Sequence, residues 1–506
     1  MKLFAALLMP FLLISTWSSP EKHKETKKQL YVSNYENVLG TSLTFKFTSG
    51  SEAAAEKAES AALIEINRLS HVLSAYDANS EFNSWMRHEI KKPVKVSKEL
   101  FDMLSLFELW KIRSNGALDP SAAVAIKIWS DAAKTQKAPT QQEINAAVLT
   151  MEQTHYLLDK ATSTATRLNT VPLIMNTFAK SYIINKACDA ALASGDIVAA
   201  VVNIGGDLVI KGEVTEPVNV TNPLANAEND KPLAYLLVNN KAVATSGNYR
   251  RGEQIGNHWY SHIVDPRTAK PVEGVISATV VATNATDAGA LATAFNILPL
   301  AESKALAETI KDAEYLIITA AGKRIESEGW HKLVNPKINE ETKHTIEPIL
   351  YGADKPWDPK YELGITFEMN VIAGNSHRPF AAIWVENESK KPVRNLALWY
   401  NKTKWVPDLR NWYRINGDSF KAAKENYASV TGATRSPGKY TIKWDGKDDN
   451  GNFVAQGKYT ILIESSKEHG TDEIIRQPLE LKKTAKKVTA AGNVEISNVT
   501  FDFYKK

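Results

Sequence analysis

Residues 243–295 constrain this chain more than any other stretch. A β-rich run ends abruptly in Thr245-Ser246-Gly247-Asn248-Tyr249, a turn composition rich in hydrogen-bond donors. His262 and then Asp265-Pro266-Arg267-Thr268 follow. A second strand-like run, 278–282, leads to Asn284, Thr286 and Asp287, which open a helix with Thr293 on an Ala-rich face. Small residues let a ligand approach the backbone. Hydroxyls and a helix N-terminus suit phosphate, and an aspartate can hold a divalent cation. The same string also reads as two strands, a polar loop and a packed helix.

A chain of 506 residues exceeds one hydrophobic core, so at least two domains are expected. A hydrophobic fraction of 43% with 12 tryptophans indicates a folded globular protein. A net charge of +4 is small for this length and argues against a dedicated nucleic-acid binder. The single cysteine, Cys188, excludes an intrachain disulfide and any Cys-cluster metal site. It lies in a helical apolar stretch and is expected to be a buried, inert thiol.

Residues 1–18 have the layout of a secretory signal. Lys2 is the charged start, 3–14 the apolar core, and Thr16 and Ser18 the small residues before cleavage. The apolar core is too short to span a membrane, and no later stretch is long and apolar enough to do so. The expectation is an exported, periplasmic protein. An uncleaved hydrophobic anchor is the alternative.

Leu43, Phe45 and Phe47 alternate like a strand. Ser51 is placed to cap a helix with Leu63, Ile66, Leu69 and Leu73 on its buried face. Leu100, Met103, Leu104 and Phe107 mark a second amphipathic helix that stops at Asn115-Gly116. Asp119, just ahead of Pro120, is placed as an N-cap. Thr140 and Glu143 form a capping-box pattern. A helix is expected at 301–311 and a strand at 315–319.

Several of these segments, taken in order, resemble the ApbE family of FAD:protein FMN transferases. They are TSGNY at 245–249, HIVDPRTAKP at 262–271, the Ser74–Asn83 segment around Tyr76, Ala117-Leu118-Asp119-Pro120, Ala179-Lys180 with Tyr182, and 202–207. The resemblance runs from near Leu39 to near Thr319. It implies an α+β, T-fold-like domain over 19–333 with FAD as substrate and Mg2+ as cofactor. The implied reaction moves FMN to a Thr or Ser hydroxyl of an exported acceptor protein, or of the chain's own C-terminal domain, and releases AMP. It further implies His262 as proton acceptor. It implies FAD contacts at Leu39, Tyr76, Ala117, Leu118, Asp119, Lys180, Gly205, Gly206, Ser246, Gly247 and Asn248. Tyr76 suits stacking on a planar ring, and the Gly205-Gly206 turn suits a close pyrophosphate.

For the metal it implies Thr293, the carbonyl at Thr177 and an aspartate. The family's aspartate stands four residues before the threonine, where this chain has Gly289. Asp287 lies six before Thr293 and reaches in only if the helix begins after it. Leu39 replaces the usual Met, Ile174 and Asn185 replace aspartates, and the glycines around Ala179-Lys180 are absent. The departures at Gly289 and Ile174 keep a weakened flavin-binding redox protein in view as a rival; a Mg-dependent FAD pyrophosphatase with water as acceptor, and a protein that is mainly an interaction module, are the others.

Residues 334–361 carry four prolines and little periodicity and read as a linker. From 362 to 506, alternating strands and Asp-Gly and Asn-Gly turns indicate a small all-β sandwich. This part resembles the FlgD-type immunoglobulin-like module and the domain of unknown function often fused to ApbE-like proteins. Trp405 and Trp412 are expected in a loop. Asp445, Asp448 and Asp449 read as a polar hairpin loop in preference to a calcium site. The string 429–434 resembles the Ser/Thr-Gly-Ala-Thr acceptor sequence of FMN-carrying quinone reductase subunits. That marks Thr434, a sterically open hydroxyl after Gly432 and Ala433, for covalent FMN. A plain loop before Pro437-Gly438 is the competing reading.

Overall fold

The computed structural model describes residues 28–249, 251–336, 356–371, 378–422, 427, 429–468 and 470–506. The signal expected at 1–18 and most of the linker expected at 334–361 lie outside the described residues.

An eight-stranded sheet carries the first domain. Its order is Gln29–Val38, Thr41–Ser49, Ile197–Ile204, Asp207–Gly212, Ala242–Gly247, Val275–Ala282, Glu314–Thr319, Arg324–Glu326. Every neighbouring pair is antiparallel. One face, with Phe45, Val202, Ala244 and Val280, packs under the helices Glu52–Leu73, Ala179–Ala193 and Ala285–Ile297. The other, with Val201, Ile210, Val243 and Val281, packs under the hairpin Glu216–Val220 and Ala234–Val238 and under Trp330. Side chains alternate between faces along each strand, and with both faces covered a run such as 197–204 is apolar nearly throughout.

The local signals act as the residues suggest. Ser51 accepts a hydrogen bond from the Ala54 N–H at 3.2 Å and opens Glu52–Leu73, which buries Ile66, Leu69 and Leu73. Lys98–Arg113 buries Leu100, Met103, Leu104 and Phe107. It stops at Asn115 and Gly116, both in the left-handed region. Thr140 and Glu143 form the reciprocal capping box. Cys188 is fully buried, and that burial pushes its thiol up to about 12.

The second domain is a β-sandwich. One sheet runs Gly438–Trp444, Tyr361–Met369, Ile496–Lys505, Lys486–Ala490, and the other Thr431–Gly432, Pro392–Trp399, Phe380–Asn387, Gly457–Ser466, Asp472–Leu481. Between them lie Phe367, Ile383, Trp444, Ile463 and Phe501. The Asn450-Gly451 turn closes a short antiparallel bridge between Lys447 and Phe453, with the Asp448 N–H donated to the Asn452 carbonyl at 2.9 Å, but it does not pair the long strands on either side. The flanking strands Gly438–Trp444 and Gly457–Ser466 belong to opposite sheets, so this connection crosses the sandwich.

The Trp-rich loop is also corrected. Trp405 lies in a short 3-10 turn, and Trp412 lies in a helix, Arg410–Ala422, packed on the outer face of the five-stranded sheet. Its buried face mixes Trp412 and Phe420 with Asn416 and Gly417, which breaks the apolar stripe. Its N-terminal N–H groups, those of Asn411 and Trp412, are taken at 2.7 and 2.8 Å by the fully buried carboxylate of Glu464 on another strand. No local capping residue announces this helix.

The linker is shorter than expected. Val334 bridges Leu236 in the first domain, whereas Trp357 already belongs to the second core, packed on Trp444 and Phe503. The domains meet along the edge strand Gln29–Val38. The Asn34 N–H is donated to the Asn401 carbonyl at 2.6 Å, Lys402 pairs with Glu59 at 2.7 Å, and Lys443 pairs with Asp230 at 2.7 Å. An unpaired edge is a template for aggregation, and here the second domain covers it.

Trp357→Ala empties a site closed on two aromatic rings. It is expected to cost about 3–5 kcal/mol of second-domain stability, read by urea denaturation of the full chain. A loss below about 1 kcal/mol would place Trp357 outside the core.

Candidate active site

A cavity of about 880 Å³ opens at one end of the large sheet, in the upper range for a cofactor pocket of roughly 300–1,000 Å³. Two hairpin turns form its lip. Leu39 and Gly40 turn with φ of 51° and 76°, a conformation costly for leucine. Gly205 and Gly206 turn with φ of 57° and 92°. A Cβ on Gly205 would stand 2.7 Å from the Thr41 methyl, so the two turns pack only because this residue has none.

The cavity brings together Leu39, Tyr76, Ala117, Leu118, Asp119, Thr177, Lys180, Gly205, Gly206, Ser246, Gly247, His262 and Thr293. Tyr76 stands at the mouth, 84% exposed, and its hydroxyl accepts a bond from the Asn176 amide at 2.8 Å. An aromatic ring fixed at one edge and open on its face is suited to stack on a flat ring system. Asp119 caps a 3-10 turn by accepting from the Ser121 N–H at 2.8 Å, and it pairs with Lys111 at 2.5 Å.

His262 has a defined tautomer. Its Nδ1 lies 2.9 Å from the Arg251 carbonyl, which only accepts, so Nδ1 carries the hydrogen and Nε2 keeps the lone pair. The ring is open to the cavity, yet the protein around it disfavours the charged form. Burial, and then the nearby Arg251 charge, hold its pKa below the ordinary value against the opposing hydrogen bond.

Several cavity groups carried no individual signal. Asp207 is buried, pairs with Lys180 at 2.8 Å and accepts from the Thr245 N–H at 3.2 Å. Burial raises its pKa and Lys180 opposes the rise. Lys46 and Glu216 pair at 2.5 Å on the far wall. These are contacts between distant segments; strand alternation shows only that Lys46 and Phe47 face opposite ways.

Three expected site residues do not line the cavity. The Asn248 N–H is donated to the Ile276 carbonyl at 3.0 Å, prolonging the adjoining strand pair. Asp287 lies inside the helix Ala285–Ile297, which begins before it, so the condition for its reaching the cavity is not met. Burial raises its pKa and Arg113 is the charge that opposes the rise. Thr434 is 4% exposed, so its hydroxyl is not open. It is donated at 3.0 Å to Glu36, which also pairs with Arg378, in the interface between the domains.

The cavity wall does not fit a divalent cation held by protein carboxylates. Three carboxylates line it, Asp119, Asp207 and Glu216, and each is paired with a lysine. At Gly289 a Cβ would stand 2.5 Å from the Ser181 Oγ, so an aspartate there would have to displace the Ser181 hydroxyl. Thr293 donates its hydroxyl to the Gly289 carbonyl at 3.1 Å. Among the described residues no group of three or more His, Cys, Asp or Glu side chains is placed to hold a metal ion.

The family model described as the ApbE family matches residues 39–317, and one described as a predicted periplasmic protein (DUF2271) matches 362–498. A FAD:protein FMN transferase of Klebsiella pneumoniae is 26% identical over 253 residues, covering 49% of this chain and 77% of that protein. One from Haemophilus influenzae is 26% identical over 315 residues, covering 58% and 88%. The ApbE protein of Thermotoga maritima superposes with a TM-score of 0.54 at 25% identity, covering 61% of this chain and 100% of that one. The flavinyl transferase ApbE of Pseudomonas stutzeri gives 0.52 at 19% identity, covering 61% and 97%, a likeness of fold. With both the sequence match and the fold in agreement over its first domain, this chain belongs to the ApbE family.

Proposed function

We propose that this protein is an exported FAD:protein FMN transferase. The single observation that carries the reading is the cavity itself. It joins a stacking ring, a glycine turn, an uncapped helix N-terminus and a neutral histidine at one sheet end, in a chain of this family.

In the reaction, the acceptor hydroxyl oxygen attacks the phosphorus of the FMN half of FAD. The P–O bond to the AMP half breaks, AMP leaves, and FMN remains as a phosphoester on the Thr or Ser. Tyr76 stacks on the flavin, while Lys180, held by Asp207, faces the phosphates. His262 Nε2 takes the hydroxyl proton, a role suited to an imidazole kept neutral by its surroundings. Divalent-cation assistance is the finer point on which the cavity wall disagrees with the resemblance, and no step here runs through it.

The description of the second domain's family as periplasmic supports an extracytoplasmic site of action. Among the described residues no helix is long and apolar enough to cross a membrane. The acceptor is a separate exported protein, because the candidate hydroxyl within the chain is sealed in the domain interface.

Incubation with FAD and an acceptor protein, followed by intact-mass and AMP assays, tests the reading. AMP with labelled acceptor is expected; AMP alone would mean FAD hydrolysis, and bound FAD without AMP a flavin binder. His262→Ala is expected to keep FAD bound while turnover falls by about 10²–10⁴. Equal loss of FAD binding would make the residue structural. The base acts when neutral, and its pKa is lowered, so the neutral form persists on acidification. The acid limb of the kcat/KM profile is expected at a midpoint below 6.5; a midpoint above that value would remove His262 as the base. Asp287→Ala is expected to leave FAD binding and AMP release unchanged, whereas loss of either would return that carboxylate to the site.

A further inference from the structure

The hairpin of Glu216–Val220 and Ala234–Val238 has one covered edge and one open edge. On its covered side the Leu237 N–H is donated to the Leu333 carbonyl, and the Tyr235 carbonyl accepts from the Asn335 N–H, both at 2.8 Å. Backbone direction alternates along a strand, so Ala234, Leu236 and Val238 turn their groups the other way, to Val220, Val218 and Glu216. Pro217 and Asn219, which stand opposite Leu237 and Tyr235, therefore turn theirs outward. Glu216–Val220 has no strand on that side, and the Pro217 carbonyl and the Asn219 N–H and carbonyl meet no partner among the described residues. This open edge lies in the cavity wall. Pro217 and Asn219 line the cavity, and so do Glu216, Val218 and Thr221. Consecutive side chains of a strand point to opposite faces, with Val218 buried against the sheet and Asn219 exposed. A cavity touching both runs along the strand's edge and not over one face. His262 lines the same cavity.

A free strand edge suits an extended backbone, which supplies its own N–H and C=O groups in register. For a transferase that acts on protein, the second substrate is a polypeptide whose hydroxyl must reach His262 inside this cavity. We propose that the Thr- or Ser-bearing segment of the acceptor enters as an extended strand and pairs with the outer edge of Glu216–Val220, at the Pro217 carbonyl and the Asn219 N–H and carbonyl. Proline fits position 217, where the N–H of any other residue would face the free edge, and it confines the pairing to a short stretch. Pairing of this kind orders the segment through its backbone and leaves discrimination to its side chains. The proposal rests on the transferase reading and adds to it the place where the second substrate binds.

The probe is a short synthetic peptide with Thr-Gly-Ala-Thr at its centre. FMN transfer to it is followed by mass, AMP is assayed, and FAD affinity is measured by calorimetry on the full chain. Asn219→Pro removes the outward N–H and sets a ring where the incoming strand would lie, with a φ that an extended edge accepts. It is expected to lower kcat/KM for the peptide by about tenfold or more at unchanged FAD affinity. Asn219→Ala keeps the backbone N–H and is expected to transfer like wild type. A second measurement leaves the enzyme untouched. Methylating the peptide's backbone nitrogens one at a time is expected to cut transfer at alternate positions, because alternate N–H groups of a paired strand face its partner. Wild-type transfer by N219P, an equal loss in N219A, or a methylation pattern without period two would overturn the inference and leave the transferase reading standing. A fall in FAD affinity in N219P would give this edge to the nucleotide and overturn it as well. AMP release without labelled peptide, or no AMP at all, would sink both the inference and the transferase reading.

Discussion

The close approach of two helices sets the shape of this active site. Ala179–Ala193 and Ala285–Ile297 lie side by side on one face of the large sheet, and at their contact one of them has no side chain. Gly289 lets Ser181 press in to a distance no Cβ tolerates. The N-terminus of the first helix is held against the sheet end, where Asp207 fixes Lys180, and the hydroxyl of Thr293 turns back onto its own helix. Interiors are close-packed, so a volume added at one of these positions must be removed at the other. Position 181 and position 289 therefore behave as one unit, and the chemistry of the wall is set by both.

How much of this was legible in the sequence divides along a physical line. Features with local causes read correctly. Ser51, the Thr140 and Glu143 box, the left-handed stop at Asn115-Gly116 and the apolar periodicity of 100–107 act through neighbours three or four residues away. Features with distant causes did not. The helix Arg410–Ala422 is capped by Glu464, more than fifty residues on, and its buried face carries Asn416, whose amide is donated to the Trp412 carbonyl at 3.3 Å. The strand Gln29–Val38 carries no such local signal: its partner residues lie on Thr41–Ser49 and its outer edge is met by the second domain.

The candidate site divides in the same way. The turn glycines and His262 line the cavity. Asp287, Asn248 and Thr434 do not, and each is displaced by a backbone or interface fact that spacing does not encode. A helix that starts two residues earlier turns Asp287 away. One further hydrogen bond of a strand pair takes up the Asn248 N–H. For Gly289, the missing carboxylate is visible in the sequence, but its counterpart at Ser181 is visible only where the two helices touch.

The second domain bears on the cavity through the same edge strand that hides Thr434. Gln29–Val38 runs directly into the Leu39-Gly40 lip, and Glu36 near its end binds both Arg378 and Thr434. A strained turn persists only where its surroundings hold it, and the outermost ribbon of a sheet has a strand neighbour on one side only. The carboxylate of Glu36 ties that ribbon to the sandwich. Modifying Thr434 would cost the chain this tie, since a phosphoester adds negative charge beside Glu36 and removes the hydroxyl proton that Glu36 accepts. In the structure the string 429–434 is part of the seam between the domains, with Thr434 buried in it against Glu36. At this seam the sandwich supplies a second, packed side to a strand that runs into a turn with a left-handed leucine.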